Sequence, residues 1–314
     1  MSTLTIHDLQ GFSTYSNDVR IPSGHKLRIE GNLKLPEWTT ATRPSAETGL
    51  IGWNSTLFVF EAYNGTEWVA VGDSKPDGSS ADKAFDKAID VMTNLSNPAT
   101  GWYWVKINGV AKKQWIDTTY DGGGWTMVAS NVMNISIPAL TYGQAATSTD
   151  HYVSSGSTWG SGDPKQYAAW MGLDGWQGIA NGNNQNRDVV FYVAGSSVPL
   201  GSTGSHSKRA RWRWTGWGAN YDWVGENSLN VELGSPNPGV WSYHISNNYN
   251  FTTTDRDQDQ YGGNCANLYN AAPWWYGSCW SGSFWGGNGS GYQNAPFWNS
   301  SGSDYHNYGA YYVR

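Results

Sequence analysis

The sequence predicts a β-rich α+β protein in two parts: a small N-terminal β-hairpin module, then a larger globular domain with few helices and long loops. Three observations predict it. The 314 residues amount to about two domains of ordinary size. Apolar runs flank Asn64-Gly65, a strong short-range hairpin signal. Helical periodicity is convincing over one stretch, whereas 39 glycines and 20 tryptophans crowd the rest of the chain.

Each part follows in order. Residues 1–49 read as short extended segments interrupted by Pro36 and the turn-like 41–49, and are assigned to an N-terminal β attachment and oligomerisation segment. Residues 50–72 hold Leu57 to Ala62 and Glu67 to Val71 around Asn64-Gly65 and form the hairpin module. DSKPDGSS (73–80) is a linker by composition. In ADKAFDKAIDVM, Phe85, Ala88, Ile89 and Met92 fall on one helical face, with Ser80 placed as N-cap and Asp82 in the first turn. Pro98 cannot continue that helix. Residues 81–314 form the globular domain, in which 164–176 is a second, shorter helix candidate.

Composition excludes several classes. Charged residues make up 14%, against about 25% in ordinary domains, so the chain is not a coiled coil. Aromatic residues at 15% offer too much surface to bury for a disordered chain. The net charge of −6 does not suggest a polyanion partner, and no nucleic acid is expected. One basic cluster, Lys208, Arg209, Arg211 and Arg213, alternates with Trp212 and Trp214. It reads either as a single-strand groove or as a strand with tryptophans inward and arginines outward, and the alternation favours the strand. There is no run of 18 apolar residues for a membrane span. The first twenty residues have neither the basic nor the apolar region of a secretory leader.

The densest chemical signal is Asp255, Asp257 and Asp259, followed by Tyr261, Gly262, Gly263, Asn264 and Cys265. On an extended segment, alternate carboxylates share one side and repel. A Ca²⁺ ion, which takes hard oxygen donors in irregular geometry, would compensate them; a solvated acidic loop is the other reading. Tyr269, Trp274, Trp275, Tyr276 and Trp280 crowd around Cys265 and Cys279. The paired cysteines in this setting suggest a disulfide, and the rings form either a ligand wall or core. No nucleophile elbow, zinc-protease or phosphate-loop motif is present, and the six histidines lack ligand spacing. The protein is therefore expected not to be an enzyme.

From about residue 80 onward the sequence resembles the fibrinogen-related domain found in fibrinogens, ficolins and tachylectins. The resemblance rests on Gly101-Trp-Tyr-Trp104, Trp115-Ile-Asp117, Asp121-Gly-Gly-Gly-Trp125-Thr126, Phe251-Thr-Thr-Thr-Asp255-Arg-Asp257-Gln-Asp259, Asn264-Cys265-Ala266 and Trp274-Trp275-Tyr276-x-x-Cys279. It implies Ca²⁺ held by the Asp257 and Asp259 carboxylates and the Tyr261 and Gly263 carbonyls, and a Cys265–Cys279 disulfide. It also implies a non-enzymatic lectin pocket beside the ion, with Tyr269, Trp275, Tyr276, Ser278 and Trp280 as ligand-binding residues, and a cis bond before Cys279. The chain departs from the family at Pro273, an extra residue between the cysteines, and at Trp280, which stands where the lectins carry histidine.

The segment from Leu35 to Trp68 resembles a recurring piece of phage tail-fibre and virion proteins. That resemblance, together with a disulfide in a chain lacking a leader, suggests a virion protein exposed after host lysis. The partners expected are a host cell-surface glycan, other virion proteins reached through the N-terminal region, and further copies in a homotrimer. A capsid or tail decoration without lectin activity and a polysaccharide depolymerase are the alternatives.

Overall fold

The structure is a computed structural model describing residues 23–24, 32–71, 75–179, 187–204, 206–234, 238–239, 241, 245–269, 271–279, 284–285, 295–298 and 304–314. The chain divides into two compact units, Met1–Ser74 and Lys75–Arg314.

The first unit is a four-stranded sheet. Strand β1 (Glu37–Trp38) runs parallel to β2 (Ile51–Asn54), which continues antiparallel to β3 (Val59–Tyr63) and β4 (Trp68–Ala70). The hairpin expected at Asn64-Gly65 joins β3 to β4. Asn64 Oδ1 accepts from the Thr66 and Glu67 amides at 2.9 Å each, and Gly65 takes φ +100°, where a side chain would be strained. Because β1 belongs to this sheet, residues 50–72 are not a separate module. At the centre, the buried Glu61 carboxylate accepts from Arg43 Nε (2.8 Å), Arg43 Nη2 (2.7 Å), Asn54 Nδ2 (3.0 Å) and Trp38 Nε1 (2.5 Å).

In the second unit the linker expectation changes. The Asp77 and Gly78 amides donate to Lys83 O, and Trp104 N donates to Gly78 O at 2.9 Å, so 75–80 is packed chain. The long helix expected over 81–92 is also replaced. A 3₁₀ turn at Ala81–Lys83 gives way to Phe85, whose backbone bridges Val105, and α1 covers Asp90–Asn94. Ser80 makes no side-chain cap. Backbone pairing at Phe85 won over helical propensity, while Phe85, Ala88 and Val91 still bury together against Val105 and Ile116.

The main sheet comprises β5 (Gly101–Ile107), β6 (Val110–Asp117), β7 (Trp125–Val132), β8 (His151–Val153), β9 (Ala169–Met171), β10 (Arg187–Ala194), β11 (Lys208–Trp214), β14 (Asn227–Leu233) and β15 (Tyr308–Val313). A small pair, β12 (Gly216–Trp217) and β13 (Trp223–Val224), sits apart from it. The main order is β14-β11-β10-β15-β7-β6-β5, with β9 on β7 and β8 on β9, all antiparallel. Short helices flank it, among them α2 (Tyr142–Ala145), α3 (Leu173–Ile179) and α4 (Cys265–Leu268). The helix expected over 164–176 is instead a 3₁₀ turn at 164–166, then β9, then α3.

Both faces of the sheet are covered. Val189, Phe191, Trp212, Trp214 and Tyr311 enter one core, which also takes Trp170, Trp176, Trp274 and Trp275. Val190, Tyr192, Tyr308 and Tyr312 enter the other. Period-two alternation sets this partition. On β11 it turns the arginines away from the tryptophans: Arg211 bonds Asp188 and Asp121, and Arg209 bonds Glu232 at 2.6 Å. The basic cluster is a strand face, not a groove.

Candidate functional site

The acidic segment is a compact loop rather than an extended strand. The Thr253 and Arg256 backbones pair across a tight turn, and Asn264 Nδ2 donates to Thr253 O at 2.8 Å, closing the loop on itself. Asn264 Oδ1 also caps α4 through the Asn267 amide at 3.1 Å. The three carboxylates therefore do not act together. Asp255 Oδ1 accepts from Tyr142 N (2.8 Å), and the Arg256 guanidinium lies 4.0 Å from the Tyr142 ring centroid. Both residues anchor the loop to α2, a role the sequence did not signal.

Asp257 and Asp259 are left facing each other. Asp259 Oδ1 accepts from Tyr261 N at 2.9 Å and Oδ2 from Cys265 N at 2.8 Å. Burial raises the Asp259 carboxyl above its ordinary range. The two amides pull it back, and the neighbouring Asp257 charge raises it again. Among the described residues neither the Tyr261 nor the Gly263 carbonyl accepts a hydrogen bond. Two mutually repelling carboxylates beside two uncommitted carbonyls are a donor set that fits Ca²⁺, with water completing six to eight oxygens. No group of three or more His, Cys, Asp or Glu side chains arranged for a metal occurs among the described residues; a set with only two carboxylates lies outside that description.

The loop is tied to the segment after it. Cys265 and Cys279 form a disulfide, and Gln260 N donates to Gly277 O at 2.9 Å. Gly277 is required there, because a Cβ would fall 2.5 Å from the Tyr249 ring. The peptide before Cys279 is not cis, and Cys279 itself takes φ +69°.

The aromatic residues divide in an unexpected way. Trp275 and Tyr276 are each 1% exposed. Trp275 Nε1 donates to Tyr221 O at 2.6 Å, and Tyr276 OH to Ala272 O at 3.0 Å. They are core residues, not a surface wall. The Thr252–Trp274 backbone bridge draws this segment beneath the loop, so neighbouring rings on both sides of the chain are covered. Tyr269 is buried at 9% exposure, its ring 5.8 Å from that of Tyr276. Tyr261 is half exposed and Ser278 exposed. Trp280 lies outside the described residues. The surface beside the acidic loop is thus offered by Tyr261 and Ser278, with Tyr269 beneath.

Residues 221–308, which include the whole of this loop and its disulfide, match the family model for the C-terminal globular domain of fibrinogen beta and gamma chains. The globular unit has a fibrinogen-like fold. The fibrinogen-like globe domain of human ANGPTL6 is similar at TM-score 0.52 and 20% identity, covering 73% of this chain and 95% of that one. The corresponding domain of human ANGPTL2 is similar at TM-score 0.51 and 20% identity, covering 73% and 98%. The fibrinogen-like unit carries the acidic loop, the disulfide and the buried Trp-Trp-Tyr segment as one connected element. Among the described residues no helix is long and apolar enough to cross a membrane.

Proposed function

We propose that the fibrinogen-like unit is a calcium-braced carbohydrate-recognition module. The observation that carries this reading is the Asp257–Asp259 pair with the uncommitted Tyr261 and Gly263 carbonyls. Those four residues would hold the ion, and the ion would supply charge neutralisation and rigidity to the loop. The chain's own contribution is positioning. Cys265 N holds Asp259, Gln260 N holds the Gly277 turn, and the disulfide joins the two ends. Fixing the surface of Tyr261 and Ser278, with Tyr269 beneath it, in advance lowers the ordering cost of binding a sugar. The buried Tyr276 ring packs against Tyr269, Trp275 lies beside it in the core, and Trp280 follows in sequence.

We further propose, from the resemblance of residues 35–68 to a phage tail-fibre segment, a virion protein whose first unit serves attachment and trimerisation and whose fibrinogen-like unit recognises a host glycan. Repeated weak sites on one particle would then act through avidity. A glycan array read in calcium and in chelator tests this. Selective, calcium-dependent binding is expected. Uniform absence of binding would leave a decoration protein, and release of products from host polysaccharide would make it a depolymerase.

A further inference from the structure

The fibrinogen-like unit has a concave site away from the acidic loop. A cleft of about 610 Å³ opens where β10, β11 and β14 meet the chain entering β15, lined by Gly195, His206, Ser207, Lys208, Gly234 and 304–307. Its volume lies in the range of small-ligand sites, roughly 300–1,000 Å³. We propose that this cleft is a calcium-independent binding site for a neutral saccharide.

The polar groups converge on one carboxylate. Asp304 Oδ2 accepts from Lys208 Nζ, and Oδ1 lies 3.2 Å from His306 Nε2. The His306 ring is buried, which with nearby Lys208 disfavours its charged form, although Asp304 opposes that. Within the lining the Lys208 ammonium is paired with the Asp304 carboxylate, so the cleft presents a salt bridge rather than a lone charge. It offers donors and acceptors together: the Lys208 ammonium, the Asp304 carboxylate, the Ser207 hydroxyl and the exposed His206 ring. Sugar hydroxyls are both donor and acceptor and match such a mixed set. The partly exposed Tyr305 ring supplies the apolar surface that a pyranose face needs.

Two glycines keep the space open. A Cβ at Gly234, where φ is +102°, would lie 2.9 Å from Lys208 Cγ, and one at Gly195 would lie 3.2 Å from His206 Cβ. The Gly195 carbonyl is held by Asn307 Nδ2 at 2.8 Å, which fixes the rim to the β15 segment.

Saturation-transfer NMR in EGTA with methyl α-D-glucopyranoside, methyl α-D-mannopyranoside, methyl β-D-galactopyranoside and N-acetylneuraminic acid tests the site on the full chain. At least one neutral glycoside is expected to bind the wild type. Asp304→Asn should weaken it about tenfold, the cost of a hydrogen bond to a charged group. His206→Ala, at an exposed position, should weaken it without loss of fold, and keeps the test valid if Asp304→Asn does not fold. Binding should survive Asp257→Asn/Asp259→Asn, which separates this site from the calcium-braced one. The proposal is overturned if no neutral glycoside binds at millimolar concentration, if N-acetylneuraminic acid binds more tightly than all three, if His206→Ala leaves binding unchanged, or if the double aspartate variant abolishes it.

Discussion

Asp259 accepts the Cys265 amide at 2.8 Å, so the acidic loop and the disulfide that follows it share one hydrogen bond. The carboxylate is positioned by the residue that forms the crosslink. Cys265→Ser/Cys279→Ser is therefore expected to weaken calcium binding several-fold as well as to lower stability. Calorimetry on folded variant checks this; a calcium affinity equal to wild type would separate the crosslink from the loop.

Trp275→Ala is expected to destabilise the fibrinogen-like unit by about 3–5 kcal/mol, the cost of removing a large ring from a packed core. Its ring lies 5.0 Å from Phe251, 5.1 Å from Trp223 and 5.5 Å from Trp217 by centroid. Chemical denaturation measures the loss. A variant of wild-type stability that had merely lost sugar binding would return Trp275 to the surface wall that the sequence suggested.

The first unit should be acid-sensitive in a defined window. Arg43, bonded to Glu61, lowers the Glu61 carboxyl to about 2; burial opposes this, and Trp38 and Asn54 reinforce it. A carboxyl depressed by folding stabilises fully above its ordinary value of 4.5 and loses that contribution as pH falls toward its folded value. The Trp38 indole N–H resonance should persist at about pH 5 and disappear between about 4.5 and 2. Glu61→Gln should flatten that dependence. Loss of the resonance already near neutrality would contradict the assignment.

The basic strand face should not bind nucleic acid. Arg211 is committed to Asp188 and Asp121, and Arg213 lies against Asp188 at 3.4 Å. A labelled single-stranded oligonucleotide should show no saturable polarisation change at physiological salt; salt-dependent micromolar binding would overturn this.

What the sequence made legible was local or periodic. The hairpin at Asn64-Gly65 and the in-out alternation of β11 need only neighbouring residues, and both appear where expected. The apolar spacing of 81–92 has a helical period, yet it serves burial equally well in a bent chain bridged to Val105. Asp255 looked like a third ligand because sequence cannot show that its carboxylate reaches Tyr142 N, 113 residues away. Trp275 and Tyr276 looked like a binding wall because aromatic density does not reveal which rings lie beneath a loop. The cleft at Lys208 and Asp304 joins residues 96 apart and left no local pattern to read.

The central claim is that Asp257 and Asp259 hold a calcium ion. Melting the protein in EGTA and in about 10 mM calcium, roughly hundredfold above a ~0.1 mM site, tests it most directly. Ligand linkage at that excess is worth about 2.7 kcal/mol, or roughly 5–10 °C for a unit of this size. The account predicts that upward shift in the wild type and its loss in Asp257→Asn/Asp259→Asn. Superimposable wild-type melting curves in the two conditions would contradict it.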